Sequence, residues 1–427
     1  MSATTIELLD LVARWIHVIA GIMWVGNSLL FNWLDRSLTS PLTTPQTAKP
    51  VGSLWLLHSG GFYYVEKTLL DGERLPAPLH WFKWQAYTTW LSGVALLIVV
   101  YYAGGRAVMT DASRPAALTH GMATLVGIGA IIGGWALYEA MQRFVAPRAP
   151  RLAAATWIIA FVAISIALTR LLDGRAAFLH TGAMLATIMA GNVFWTIVPS
   201  QRQLVASVRD GTSGGSAVSA RAKRVSIHNN YFTFPVIVLM VSNHFSSLYG
   251  NRYSWLLLLV LVAAGAGARH FLNVRWTFAA WKPALAATML AGVVALWAVQ
   301  RAGTAAIPAV ALDTLTPVTF EEARHIIDRR CAVCHSERPT DVTYGPAPAG
   351  VMFDTRAQIE SRAARIRERA YVSRTMPPAN KTGITDDERA ALGRWATSSA
   401  KSVSGISSPG RVILATIAPV STIRVKQ

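Results

Sequence analysis

The sequence predicts an all-α protein in two parts: an eight-helix transmembrane bundle over residues 1–300, then a small soluble helical domain. Three observations predict it. Long apolar runs recur from about residue 8 to 300, whereas charge becomes dense after residue 313. Charged residues make up only 15% of the 427, against about 25% in an ordinary soluble protein. The C-terminal part carries two helix-start signatures. One is Thr319 with Glu321 and Glu322 in the first turn; the other is the capping-box run Thr385-Asp386-Asp387-Glu388.

A membrane helix needs about 20 mostly apolar residues. Eight stretches qualify, at 8–34, 85–104, 119–140, 153–172, 178–199, 231–249, 254–272 and 283–300. The first does not read as a cleaved signal peptide, because it lacks a basic leader and follows Glu7 and Asp10. Lys and Arg crowd the loops between helices 1–2, 3–4, 5–6 and 7–8 and are sparse in the others. Basic loops stay in the cytoplasm, so both ends of the bundle are expected on the periplasmic side of a bacterial inner membrane. These loops explain the net charge of +18, since residues 313–400 hold 13 Lys/Arg against 12 Asp/Glu. No nucleic-acid partner is needed to account for it; membrane lipid is the expected surroundings.

Residues 301–318 (RAGTAAIPAVALDTLTPV) read as a linker and 319–400 as the soluble domain. Its helices are expected from Thr319 to about Cys331, around 355–370, and from Thr385 to about Thr397. Residues 401–427, Ser-rich and then apolar, carry no assignment.

The only two cysteines lie in Cys331-Ala332-Val333-Cys334-His335. They are too close for a disulfide framework, and a zinc site would need a second Cys/His pair. C-x-x-C-H reads as covalent attachment of a c-type haem. Each thiol closes a thioether on one porphyrin edge, and His335 follows so that its ring reaches the iron. Met376, in Thr375-Met376-Pro377-Pro378 and 41 residues beyond His335, is the expected sixth ligand; Met352 is the alternative, or a core residue. A Met/His pair raises the haem potential. The soluble part is thus an all-α cytochrome c domain. It moves one electron at a time, so the bundle must supply either the chemistry or the docking.

Ionisable groups inside a membrane are costly and are functional candidates by default. His17, His120, His180 and His244 all fall in the outer half of the predicted bundle. They are candidate axial ligands of one or two b-type haems, His17 and His244 foremost, or else hydrogen-bonded core and interfacial residues. Arg14 and Arg269, near helix ends, are candidate haem-propionate partners. Glu139 and Arg143 have the i,i+4 spacing of a helix-surface ion pair.

Several strings together resemble one family. They are RWIHVIAGIMWVGNSLLFNWLD (14–35), LWLLHSGGFYYVEK (54–67), LHWFKWQAYTTWLSG (79–93), IHNNYFTFPVIVLMVSNHF (227–245), CAVCH and TMPPANKTGIT. In this order they resemble the bacterial membrane-bound urate oxidases, or urate hydroxylases, in which eight membrane helices are fused to a cytochrome c domain. The resemblance covers residues 6 to about 398, with Ser59 standing where that family leads one to expect Gly. It implies oxidation of urate with water to 5-hydroxyisourate, with electrons passing through haem c to a downstream cytochrome or oxidase. Oxygen is then not the direct oxidant. A membrane-anchored electron carrier, or a dehydrogenase of another small reductant, is the alternative.

On that reading a second cluster, on the cytoplasmic side and flanking predicted helices 2 and 6, becomes a candidate urate site: His58, His80, Lys83, His228, Asn229 and Asn230. Amide side chains pair carbonyl and N–H edges, Lys83 offsets charge, and histidine is tuned to accept a proton. Trp81, Trp84, Tyr63 and Tyr64 in the same region also fit plain interfacial anchoring.

Overall fold

The computed structural model describes residues 3–38, 49–69, 78–103, 109–110, 118–211, 216–304, 318–341 and 347–404. Most of the predicted linker and of the C-terminal tail lie outside them. Eight helices are long and apolar enough to cross a membrane, as expected. They are α1 (Ala3–Ser37), α2 (Lys83–Leu97, widening into a π-turn to Tyr102), α3 (His120–Ala140, likewise to Val145), α4 (Pro150–Leu171), α5 (Gly174–Gly191) running through a π-turn into α6 (Val198–Arg209), α7 (Ser216–Val241), then, after the short α8 (Ser246–Tyr249), α9 (Ser254–Asn273) and α10 (Trp281–Thr304).

The bundle is built around α5, whose span is the most buried of the eight. Phe178, Met184, Leu185 and Ile188 of α5 meet Tyr138, Trp157, Leu239 and Leu258 from four neighbours. Without a hydrophobic force between helices in lipid, close approach through small residues holds such bundles. Gly134 shows the mechanism: a Cβ there would stand 2.3 Å from Met184 Sδ. By contrast α1 and α10 are scarcely covered. Leu8, Leu11, Trp15 and Ile22 of α1, with Leu290 and Trp297 of α10, are exposed apolar side chains. Surface of this extent suits hydrocarbon rather than water.

Two elements differ from expectation. The region between the first two spans holds a β-hairpin, β1 (Lys49–His58) against β2 (Gly61–Leu69), with Trp55 opposite Tyr64 and His58 opposite Gly61. Its two-residue turn, Ser59 at φ 50° and Gly60 at φ 76°, matches the left-handed backbone that tight hairpins need. Gly60 thus serves the turn itself. The sixth span also begins earlier than predicted. Arg221 pairs with Glu139, and Arg224 donates to Gln142 Oε1 at 3.3 Å. With those charges partnered by α3, α7 extends back through the basic run. Glu139 takes Arg221 rather than Arg143.

Residues 318–404 form a helical unit with its own core. It contains α11 (Phe320–Arg330), α12 (Arg356–Glu360), α13 (Ala363–Ile366) and α14 (Asp386–Ser404), closed over Ile327, Phe353, Ile359, Leu392 and Trp395. Thr319 and Glu322 form the capping box of α11, and Thr385 and Glu388 exchange the corresponding bonds before α14. The helix expected over 355–370 is broken into α12, α13 and a π-turn over Arg367–Val372.

Candidate functional site

Cys331 caps α11, its N–H bonding back to Ile327 O at 2.8 Å, and the next turn brings His335 N onto Cys331 O at 2.9 Å. This places Cys331, Cys334 and His335 on one wall of a cavity of about 1430 Å³, with Met376 lining it too. Val351, Phe353, Ile366, Pro377 and Ile384 supply apolar surface. Both thiols are free. Burial pushes Cys331 up to about 12 and raises Cys334. Among the described residues no group of three or more His, Cys, Asp or Glu is placed to hold a metal ion.

His335 Nδ1 bonds Val351 O at 3.0 Å, which fixes the ring and leaves Nε2 as the nitrogen that could bind a ligand. Phe353 packs its ring edge-on at 5.5 Å. The Met376 segment is pinned from behind. Buried Arg389 donates to Met376 O at 2.8 Å and to Asn380 Oδ1 at 3.2 Å, while Met376 N donates to Arg369 O at 3.0 Å. Two thiols, an oriented imidazole and a thioether around a space with both apolar and basic lining fit a covalently held haem.

The opposite wall of this cavity comes from the bundle. Arg170 of α4, Arg175 of α5, Arg252 and Trp255 at the start of α9, and Trp297 and Arg301 of α10 all line it. These lie at one end of the bundle, here the upper end, and line the cavity together with residues 330–389.

The four outer histidines are not brought into facing pairs. His180 is fully buried, with Nδ1 on Ala176 O at 2.7 Å and Nε2 on Tyr102 Oη at 2.9 Å. A Cβ at Gly127 would stand 2.6 Å from its ring. His120 Nε2 bonds Tyr102 O at 3.0 Å. His244 sits on a 3-10 turn at the end of the sixth candidate span and is exposed on the bundle surface. His17 Nδ1 bonds Thr89 O at 2.9 Å and its ring lies against Gly93, nine residues from Tyr102, about 13 Å along a helix. With both ring nitrogens engaged, His180 does not fit as a haem b ligand. Arg14 pairs with Asp10 at 2.7 Å, in place of a propionate.

The second candidate cluster divides in two. His58 at the hairpin tip and His80 are exposed, and Lys83 lies over Trp81 and Trp84 at 6.0 and 5.5 Å. His228, Asn229 and Asn230 instead lie within α7, in the lower half of the bundle. Tyr138 Oη bonds His228 Nδ1 at 2.8 Å and accepts from Asn192 Nδ2 at 3.1 Å. Asn192, at the start of the π-turn after α5, also donates to Asn229 Oδ1 at 2.8 Å. Asn230 Oδ1 accepts from Arg269 Nε at 2.8 Å and from Asn273 Nδ2 at 2.6 Å. Tyr138, Asn192 and Asn273 carry no sequence signal, since none belongs to a spaced motif. Arg269 did have one: Gly265, Ala266, Leu272 and Asn273 occupy its i±3 and i±4 positions, so its helix offers it no carboxylate.

The fold and the cavity together define a class, a multi-helix protein of membrane-spanning proportions carrying a small helical unit at one end. The chain belongs to the urate oxidase N-terminal family, which matches residues 3–300. No curated protein and no solved structure matches the chain.

Proposed function

We propose that this protein is a membrane-bound, cytochrome-linked urate oxidase of the bacterial inner membrane, with the unit over 318–404 facing the periplasm as its cytochrome c domain. The reaction is urate plus water giving 5-hydroxyisourate, two protons and two electrons. Cys331 and Cys334 hold the haem covalently, and His335 and Met376 are its axial ligands. A haem held there supplies one-electron acceptance and release toward a downstream cytochrome.

The observation that carries the reading is the convergence of those four residues on one cavity in a chain of the urate oxidase family. The cavity's far wall also argues for where urate reacts. Electron tunnelling falls off steeply with distance, so the purine must react close to the haem edge. Arg170, Arg175, Arg252 and Arg301 offset the charge of a urate anion there, and Trp255 and Trp297 offer stacking faces.

Urate added without oxygen to the purified, oxidised protein is expected to give the reduced haem c spectrum. An unchanged spectrum, with dithionite still reducing the haem, would sink the proposal.

A further inference from the structure

The lower end of the bundle holds a second cavity, of about 400 Å³, between α1 and the α7–α9 pair. Its lining is mostly apolar, from Leu29, Leu30, Phe234 and Leu272, with Asn32, Trp33, Arg275 and Arg269 as the polar-bearing members. Arg269 is only 3% exposed. Its Nε is used by Asn230, yet its Nη2 is buried without a hydrogen-bond partner. No ion pair reaches it among the described residues; its guanidinium lies 5.5 Å from the Phe234 ring.

A buried, unpaired guanidinium inside an apolar span is costly, and an anion is the group that offsets it. Beside it stands a second orphan of opposite kind. Asn273 donates to Asn230 Oδ1, and its own Oδ1 is buried without a partner. Arg269 lines the cavity and Asn273 follows Leu272, which also does; their two orphan atoms, one cationic donor and one acceptor, are tied by a shared contact with Asn230. A phosphate oxygen satisfies the donor alone. An anionic heterocycle with a C–O edge next to an N–H satisfies both, and its flat face suits the aromatic surfaces of Trp33 and Phe234.

We infer that Arg269 and Asn273 form a binding site for a planar oxoanion of the urate class, distinct from the Cys331–Met376 cavity. Arg269 lies 15 residues along α9 from Ser254 at the upper end, about 22 Å. At that distance the site binds the purine and does not feed haem c directly. Naming the ligand rests on the proposed urate activity; the donor–acceptor pair does not.

Equilibrium dialysis of labelled urate against full-length, haem-loaded protein tests it, with the haem held reduced by dithionite so that turnover is off. Arg269→Gln is expected to bind one urate fewer per chain than wild type. Asn273→Leu, which keeps the charge, is expected to weaken that same site about tenfold. Should Arg269→Gln elute as aggregate, Asn273→Leu decides alone. Wild-type stoichiometry and affinity in a monodisperse variant would overturn the inference, as would no urate bound by wild type. So would displacement of the Arg269-dependent urate by dioctanoyl phosphatidic acid that Asn273→Leu leaves unchanged, which marks a lipid-phosphate site. The two readings fail separately. Haem reduction by urate with Arg269-independent binding keeps the activity and removes this site. Arg269-dependent binding without haem reduction does the reverse.

Discussion

At the scale of single residues, chemistry depends on which atom of a side chain is already engaged. His335 and His180 make the contrast. One has Nδ1 on a backbone carbonyl and keeps Nε2 available to a ligand; the other spends both nitrogens on Ala176 and Tyr102. The two look alike in sequence except that His335 follows two cysteines. The same logic applies to Met376, whose backbone is held at both its N–H and its carbonyl. If Met376 is the sixth ligand of the proposed haem c, replacing it by His would keep the iron six-coordinate but remove the thioether that raises the potential. Met376→His is therefore expected to retain haem c in full while its midpoint potential falls, measured by redox titration; an unchanged potential would move the sixth ligand elsewhere. Within the bundle, Tyr138→Phe leaves His228 Nδ1 without its partner and strips one bond from Asn192. Buried polar groups left unpaired cost about 1–3 kcal/mol, and thermal unfolding in detergent should register a loss of that order. No shift in the midpoint would mean that the network adds nothing to stability.

Elements show where local rules suffice and where they do not. The start of α11 was legible because a capping box is a short-range device: Thr319, two acidic residues and a following apolar pattern lie within one turn. Thr319→Ala is expected to cost the unit about 1 kcal/mol, seen as a lower denaturant midpoint by circular dichroism with haem content unchanged. A variant as stable as wild type would show that Glu322 needs no reciprocal donor. The β-hairpin was missed for a reason of scale. Its strands combine Trp, Tyr, Leu and Lys in a way that also reads as an interfacial loop, and Ser59 obscures a turn that Gly would have announced. The early start of α7 was hidden too, since the partners of Arg221 and Arg224 lie on α3, about 80 residues earlier in the chain.

For the whole molecule, connectivity and charge make one prediction together. The cavity shared by the C-terminal unit and the bundle lies at the end formed by the α4–α5 and α7–α9 connections. Lys and Arg crowd the loops of the other end, which favours that end for the cytoplasm. Protease added outside spheroplasts is expected to remove the haem-staining unit while the hairpin over 49–69 survives. Protection of the haem unit in intact spheroplasts, with cleavage only after lysis, would invert the orientation.

Composition and order alone determined the eight spans and set Cys331, Cys334 and His335 within one five-residue run. Each depends on contiguous residues: a run of about 20 apolar side chains, or five positions whose spacing carries the chemistry. The tertiary structure decided which polar residues meet. Hydrogen bonding and burial join side chains from different helices, so no local pattern could place Asn192 beside Asn229, or Asn273 and Arg269 on the same Asn230 oxygen. Nor could it keep four similar histidines apart. Helix formation is written along the chain, whereas the partner of a buried polar atom is settled only when the helices pack.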